Sequence, residues 1–251
     1  MLDGGVRPVL IVTGGSRGLG AAMVQAGLAR GAHVAYCSRT PTPLAPTDGA
    51  VSGTAPNSLW IQADVAREAD VEQLFDDTLT AFGRVDAVVN NAAINRPGLL
   101  VSLADETWDT VVANNLTSAF LVARRAVREF RRQAIPGRLV FMGSLMQEGT
   151  SAGACYATTK AAQRGLALAI ARAYGRYGIT ANVVVCGYVE TDLTGDLTEE
   201  MRRALVEKCP QRRAGRAEEV AAAVAFLTLG DGVSLTGQIL RVSGGLTEVP
   251  A

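Results

Sequence analysis

Histidine is almost absent from this chain, which carries only His33. Cysteine is scarce as well: Cys37, Cys155, Cys186 and Cys209 are scattered, and no two form a Cys-x-x-Cys pair. These two shortages exclude a Cys/His zinc site, and the cysteine density is too low for a disulfide framework. Isolated cysteines among apolar neighbours fit a reducing compartment, so a cytoplasmic location is expected. Net charge is missing too. Lys+Arg and Asp+Glu each total 24, which removes any global attraction to nucleic acid or an anionic membrane. No apolar run approaches the ~18 residues of a membrane span. The first strand-like run, Val9–Val12, leads straight into glycines rather than forming a signal region. Glycine is plentiful at 27 residues but has no three-residue period, which excludes a collagen-like chain.

What remains is enough for a sizeable core, with 48% hydrophobic and 19% charged residues. Short β-branched runs alternate with longer helical patterns. Strands are expected at Val9–Thr13, His33–Cys37, Ser58–Gln62, Val85–Asn90, Arg138–Met142, Ile179–Val185 and Gln238–Val242. Helices are expected near Gly18–Arg30, Val71–Phe82, Thr107–Arg132, Tyr156–Tyr177 and Ala217–Leu229. This alternation predicts an α/β fold, a doubly wound parallel sheet with helices on both faces, in one domain spanning 1–251. Two stretches depart from it. Thr40–Asn57 holds Pro41, Pro43, Pro46 and Pro56, so a loop is expected where a crossover helix would otherwise stand. Gly187–Gly215 is irregular apart from a short helix, Glu199–Lys208, stopped by Pro210; it is expected to act as a substrate lid.

The run VLIVTGGSRGLG places a strand, then Gly14, Gly18 and Gly20, then a helix. Glycines there permit a tight turn and close approach of backbone to a pyrophosphate, and the helix N-terminus adds free N–H groups. The spacing Thr-Gly-x-x-x-Gly-x-Gly resembles the short-chain dehydrogenase/reductase family. That resemblance implies a Rossmann-type sheet of seven parallel strands in the order 3-2-1-4-5-6-7. It also implies a nicotinamide cofactor, with Gly14, Ser16, Arg17, Gly18, Leu19 and Gly20 contacting it. In the family's pattern Ser38 occupies the place of the acidic residue that holds a ribose 2′-hydroxyl, and Arg39 follows. No carboxylate lies in Val34–Thr47, so Arg39 and Arg17 are expected to pair with a 2′-phosphate, favouring NADP(H). Asp64 and Val65 resemble the Asp-Val at the adenine edge. Asn90 and Asn91 fall in the family's Asn-Asn-Ala-Gly stretch, with Ala93 replacing the glycine, and the resemblance implies that they support the sheet and line the adenosine-ribose side, Asn91 contacting the cofactor. Cys186 stands where a proline is usual, while Gly187, Val189 and Thr191 are expected at the nicotinamide.

Tyr156 and Lys160 are spaced i and i+4, on one face of a helix. An ammonium at ~4 Å from the phenol, at an effective dielectric of ~20, is worth about 4 kcal/mol, or roughly 3 pKa units as a bound. The expectation is a phenol made more acidic, donating its proton to a carbonyl oxygen as hydride arrives at carbon. Ser144 ends a strand twelve residues earlier and is expected to polarise the same oxygen. Asn115 completes the tetrad that the resemblance implies, holding a relay water that links the lysine to solvent. No metal is expected.

Within the family, YGITANVV, GYVETDL and GRAEEVAAAVAFL look most like bacterial 3-oxoacyl-acyl-carrier-protein reductases. The implied reaction is reduction of a β-keto thioester on an acidic carrier protein. A free small ketone, alcohol or sugar is the alternative, and a non-catalytic partner subunit is disfavoured by the intact tetrad. Arg124, Arg125, Arg128, Arg131 and Arg132, set against the single carboxylate Glu129, together with Arg172 and Arg176, form the expected docking face. The apolar, small-residue helices Thr107–Arg132 and Tyr156–Tyr177 lead to an expected homotetramer.

Overall fold

A computed structural model of the chain describes residues 7–41, 57–191, 194–195, 197–230 and 234–247. Seven strands form one sheet: β1 (Val9–Thr13), β2 (His33–Ser38), β3 (Ser58–Gln62), β4 (Ala87–Asn90), β5 (Arg138–Ser144), β6 (Thr180–Cys186) and β7 (Ile239–Val242). Their order is β3-β2-β1-β4-β5-β6-β7, and every pairing is parallel. This is the expected order. Apart from its ends, the proline-rich Thr40–Asn57 stretch lies outside the described residues.

Near-continuous apolar strands follow from burial on both faces; all five residues of β1 are buried. One face packs on α2 (Glu68–Phe82), α4 (Ser118–Gln133) and α5 (Ala154–Tyr174) through Phe75, Phe130, Phe141 and Ile170. The other packs on α1 (Gly18–Ala29) and α7 (Ala217–Leu229) through Leu10, Val24, Val184 and Val224. The chain leaves β1 toward β2 on one side and returns to β4 on the other. That reversal opens a crevice beyond the C-terminal ends of β1 and β4.

The expected helix Thr107–Arg132 is not one uniform helix. It is α3 (Asp105–Val112), a π turn (Ala113–Thr117) and α4. A π turn is an i→i+5 defect that ordinary helical propensity does not produce. Side-chain bonds from Asn115, in the middle of the turn, hold it in place. The short helix at Glu199–Lys208, α6, forms as expected, N-capped by Thr198. The segment holding α6 starts and ends against itself, with Val189 bridging Gly215.

The arginines of α4 differ from the open basic face expected. The folded chain brings α2 alongside, and its carboxylates neutralise two of the five. Arg124 pairs with Glu68, and Arg125 pairs with Glu72 at 2.7 Å, Asp76 at 3.2 Å and Glu129 at 2.9 Å. Arg132 also pairs with Glu129. Arg131 lies over the Tyr177 ring at 3.6 Å. Sequence spacing alone shows only Glu129, because the other three carboxylates arrive from about fifty residues upstream.

Glu129 is 1% exposed, and the two guanidinium groups hold its carboxyl below the ordinary range despite the opposing effect of burial. A depressed folded value stabilises the protein fully above the unfolded value near 4.5, and that contribution disappears as pH falls through the folded value. Glu129→Ala should therefore cost about 2 kcal/mol at neutral pH, since Arg125 keeps its other two carboxylates and Arg132 can return to water. Urea melts from pH 7 to pH 3 check this. The difference between wild type and variant should shrink on the acid side, and a pH-independent difference would reject the assignment.

Candidate active site

The crevice floor is the turn between β1 and α1. Gly14 has φ 65°, and Gly20 lies so close to it that a Cβ there would sit 2.0 Å from the Gly14 carbonyl oxygen. Asn91 clamps the turn by donating from Nδ2 to the carbonyls of Thr13 and Gly14 at 2.9 and 3.1 Å. Its role is therefore to hold the loop. The N-terminus of α1 has no side-chain cap and no acidic residue in its first turn, so its N–H groups are available to an anion. Arg17 immediately precedes this helix and is exposed; Ser16 and Leu19 are partly buried. Thr191 packs over the loop, 3.6 Å from where a Cβ of Gly18 would be, so the Gly187–Thr191 stretch closes the crevice from above. Gly187 donates to Val242 at 3.0 Å, and Val189 is buried beneath.

At the end of β2, Ser38 donates to the Thr40 carbonyl at 2.8 Å and accepts from Trp60 Nε1 at 2.9 Å. Its hydroxyl therefore fixes the loop shape. Arg39 extends across the crevice to Asn114 Oδ1 at 3.3 Å, while Gln62 holds its carbonyl at 2.9 Å. Asp64 turns its carboxylate to the Ala66 N–H at 3.1 Å, and Val65 is buried beside it. An uncapped helix N-terminus and a turn that admits no Cβ fit a dinucleotide, and among the described residues Arg39 makes no ion pair.

The tetrad residues meet at the crevice's far wall. Ser144 ends β5, and its Oγ accepts from the Met146 N–H at 3.2 Å. The Ser144 hydroxyl faces the Tyr156 phenol closely enough to favour its ionised form. Lys160, 2% exposed, donates to the Met142 carbonyl at 2.6 Å, and its Nζ is 5.6 Å from the Tyr156 ring centroid. Asn115 is fully buried: Oδ1 accepts from the Ile94 N–H at 2.8 Å, and Nδ2 donates to the Ile94 carbonyl at 2.9 Å and Thr159 Oγ1 at 3.2 Å.

Here the electrostatics correct the expected acidification of Tyr156. Burial, reinforced by the Cys186 thiol, pushes the phenol above its ordinary value, and the nearby Ser144 hydroxyl offsets this only in part. Burial also lowers Lys160 to about 8. Loss of water around both groups outweighs their mutual attraction, because each charged form is desolvated. The phenol thus stays protonated at neutral pH, which suits a proton donor. Cys186, where the family usually has proline, faces this pair, and burial raises its thiol. Cys37 is pushed up to about 12 by burial. Neither thiol is a ready nucleophile at neutral pH.

One residue escaped the sequence reading. Gln163 Nε2 donates to the Asn115 carbonyl at 2.7 Å, tying α5 to the π turn. Its signal was a polar side chain three residues after Lys160 on the inward face of α5.

Comparison with known proteins finds relatives along nearly the whole chain. A family model described as Enoyl-(Acyl carrier protein) reductase matches residues 14–247. The 3-oxoacyl-[acyl-carrier-protein] reductase FabG of Escherichia coli (strain K12) is 34% identical over 242 residues, covering 96% of this chain and 98% of that protein. The 3-oxoacyl-[acyl-carrier-protein] reductase MabA of Mycobacterium tuberculosis (strain ATCC 25618 / H37Rv) is 34% identical over 238 residues, 94% of this chain and 92% of its own. The Vibrio cholerae FabG is also 34% identical, over 239 residues, 95% and 96% of the two chains.

Proposed function

The chain belongs to the short-chain dehydrogenase/reductase family of oxidoreductases, and from that premise we propose that it reduces the 3-oxo group of an acyl thioester on an acyl carrier protein to a 3-hydroxyl, with NADPH as reductant. The observation that carries this reading is a buried Tyr156 phenol with Lys160 Nζ 5.6 Å from its ring centroid and the Ser144 hydroxyl facing it, in a chain similar to 3-oxoacyl reductases along nearly its whole length. When bound, the reduced nicotinamide supplies hydride to the carbonyl carbon. Tyr156 gives its phenolic proton to the carbonyl oxygen, and Ser144 holds that oxygen by a hydrogen bond. Lys160 then returns a proton to the phenolate. Lys160 titrates near 8, so reduction should decline as pH rises through that value and the ammonium is lost. Gly187–Gly215 is the lid over the substrate.

A panel assayed by loss of NADPH absorbance tests the function. A carrier-linked 3-oxoacyl thioester should give the highest kcat/KM, above a short soluble thioester, an enoyl thioester and free ketones. Preference for a free ketone would replace this reading with its alternative, a small-ketone or alcohol enzyme.

Two phosphate-directed groups, Arg39 and Arg17, with no carboxylate at the end of β2, support NADPH over NADH. Arg39→Asp should move the NADPH/NADH ratio of kcat/KM toward NADH by on the order of 100-fold, because it removes charge-assisted bonds to the 2′-phosphate and adds repulsion. An unchanged ratio would show that Arg39 does not meet that phosphate.

For the carrier protein we propose a smaller docking set than the whole arginine cluster. Among the described residues Arg128 and Arg172 are exposed and make no ion pair, whereas Arg124, Arg125 and Arg132 are already paired. Arg176 is exposed beside the Tyr177 ring. With a screening length of about 8 Å at physiological salt, only unpaired charges close to the partner steer it. Arg128→Ala with Arg172→Ala should raise KM for carrier-linked substrate about tenfold, on the scale of a charge-assisted contact. KM for a soluble mimic should stay unchanged; equal losses on both would assign these arginines to the fold. A homotetramer is part of the same proposal. Leu100 is 71% and Val101 96% exposed ahead of α3, and Phe120 is exposed on α4, more apolar surface than a lone subunit needs. Light scattering that finds only monomer at micromolar concentration rejects it.

A further inference from the structure

Gln163 is 1% exposed and lies one helical turn beyond Lys160 on α5. One end of its amide is tied to the π turn, with Nε2 donating to the Asn115 carbonyl at 2.7 Å. The other end, Oε1, is buried and meets no protein donor. Asn90 adds a second buried amide. It is 4% exposed, and neither of its side-chain polar atoms has a partner. Asn90 pairs in register with Phe141, on the sheet face that α4 and α5 cover. Buried amides are ordinarily satisfied by protein or by ordered water, so two with open valences in one layer point to water held there.

Lys160 needs such company. Its ammonium has three N–H groups, of which one reaches the Met142 carbonyl. The titratable groups facing it are Tyr156 on its own helix and Cys186 on β6, both neutral at physiological pH because burial raises them. Among the described residues no counter-ion balances the ammonium, so neutral acceptors must do so.

We propose that Gln163 is a positioning residue of the proton-return path: one end of its amide locks the Asn115 turn against α5, and the other holds a bridging water on the ammonium of Lys160. This rests on the carbonyl-reductase reading above. In the return step an N–H bond of Lys160 breaks as the phenolate O–H of Tyr156 forms. The lysine then recovers a proton from solvent through the water, and Gln163 is unchanged.

The chain has two lysines, Lys160 and Lys208, so protein labelled at lysine Cε gives two NMR signals that separate on titration. The experiment follows Lys160 in wild type, Gln163→Leu and Gln163→Glu without cofactor, with melting temperature and the pH profile of kcat in parallel. Losing the acceptor should lower the Lys160 midpoint by about one pH unit, and a carboxylate in its place should raise it by at least as much. In Gln163→Leu, kcat should fall about tenfold, the scale of a misplaced proton donor, with KM within about twofold and the alkaline limb moving with the lysine. A Lys160 midpoint unchanged in both variants, with only melting temperature altered, overturns the proposal and leaves Gln163 a packing residue. If wild type reduces no carbonyl substrate at all, the reading of the reaction fails, while the lysine titration still decides whether Gln163 holds the ammonium.

Discussion

Tyr156→Phe should lower kcat for reduction at least ~100-fold, the lower bound for removing a positioned general acid. The substitution deletes one oxygen and keeps the ring, so the van der Waals contacts of a residue 6% exposed survive. Ser144 keeps its bond from the Met146 N–H. Cofactor affinity and melting temperature should therefore stay near wild type. The alternative acids are poor. Lys160 is turned to the Met142 carbonyl, and Cys186 is a buried thiol whose titration is raised. A raised phenol also predicts the pH behaviour. Tyr156 remains protonated through the working range, so the alkaline decline of wild-type kcat belongs to Lys160, near 8, and not to the tyrosine. A folded variant retaining wild-type turnover would falsify the assignment of Tyr156 as proton donor.

Gly20→Ala should be the most damaging single-methyl change in the chain's cofactor crevice. Its Cβ would fall 2.0 Å from the Gly14 carbonyl oxygen and 2.8 Å from Asn91 Nδ2. Neither neighbour can give way cheaply. The first is backbone in a turn at φ 65°, and the second is held by the Thr13 and Gly14 carbonyls. Either α1 shifts away from β1 or the turn opens, and overpacking of this kind costs about 3 kcal/mol. Both movements displace the N–H groups aimed at the pyrophosphate, so cofactor Kd should rise by at least about tenfold, as one lost charge-assisted bond would give. Gly175→Ala is the matched control. Gly175 is in ordinary helical conformation, φ −54°, with nothing within 4 Å of the added methyl. That change should gain about 0.5 kcal/mol by restricting the unfolded chain. Thermal melts and titration with NADPH by fluorescence separate the two. Equal effects would mean that the clash at Gly20 is relieved at little cost.

How much of this site could be read in the sequence depends on whether a feature is local. The glycine turn, the Ser38-Arg39 end of β2 and the Tyr156/Lys160 spacing each lie within a few residues, where strand and helix periods fix which side chains share a face. Seven apolar runs separated by helical patterns likewise determine a parallel sheet, because strands buried on both faces must be apolar throughout. Other features were illegible for a physical reason. The π turn exists because Asn115 bridges to Ile94, a contact across 21 residues that helix propensity does not register. The arginines of α4 read as a positive face until α2 supplied Glu68, Glu72 and Asp76.

The sequence by itself determined the fold class, the strand positions and the glycine turn, since these follow from periodicity and from spacing along one element. Only the tertiary structure decided the protonation of the site and the charge left on its surface. Burial raised Tyr156 and lowered Lys160 against the expected pairing, Gln163 took the carbonyl of Asn115, and α2 neutralised Arg124 and Arg125 of α4. Desolvation and long-range ion pairing depend on what surrounds a group in space, and that is set only when distant segments pack.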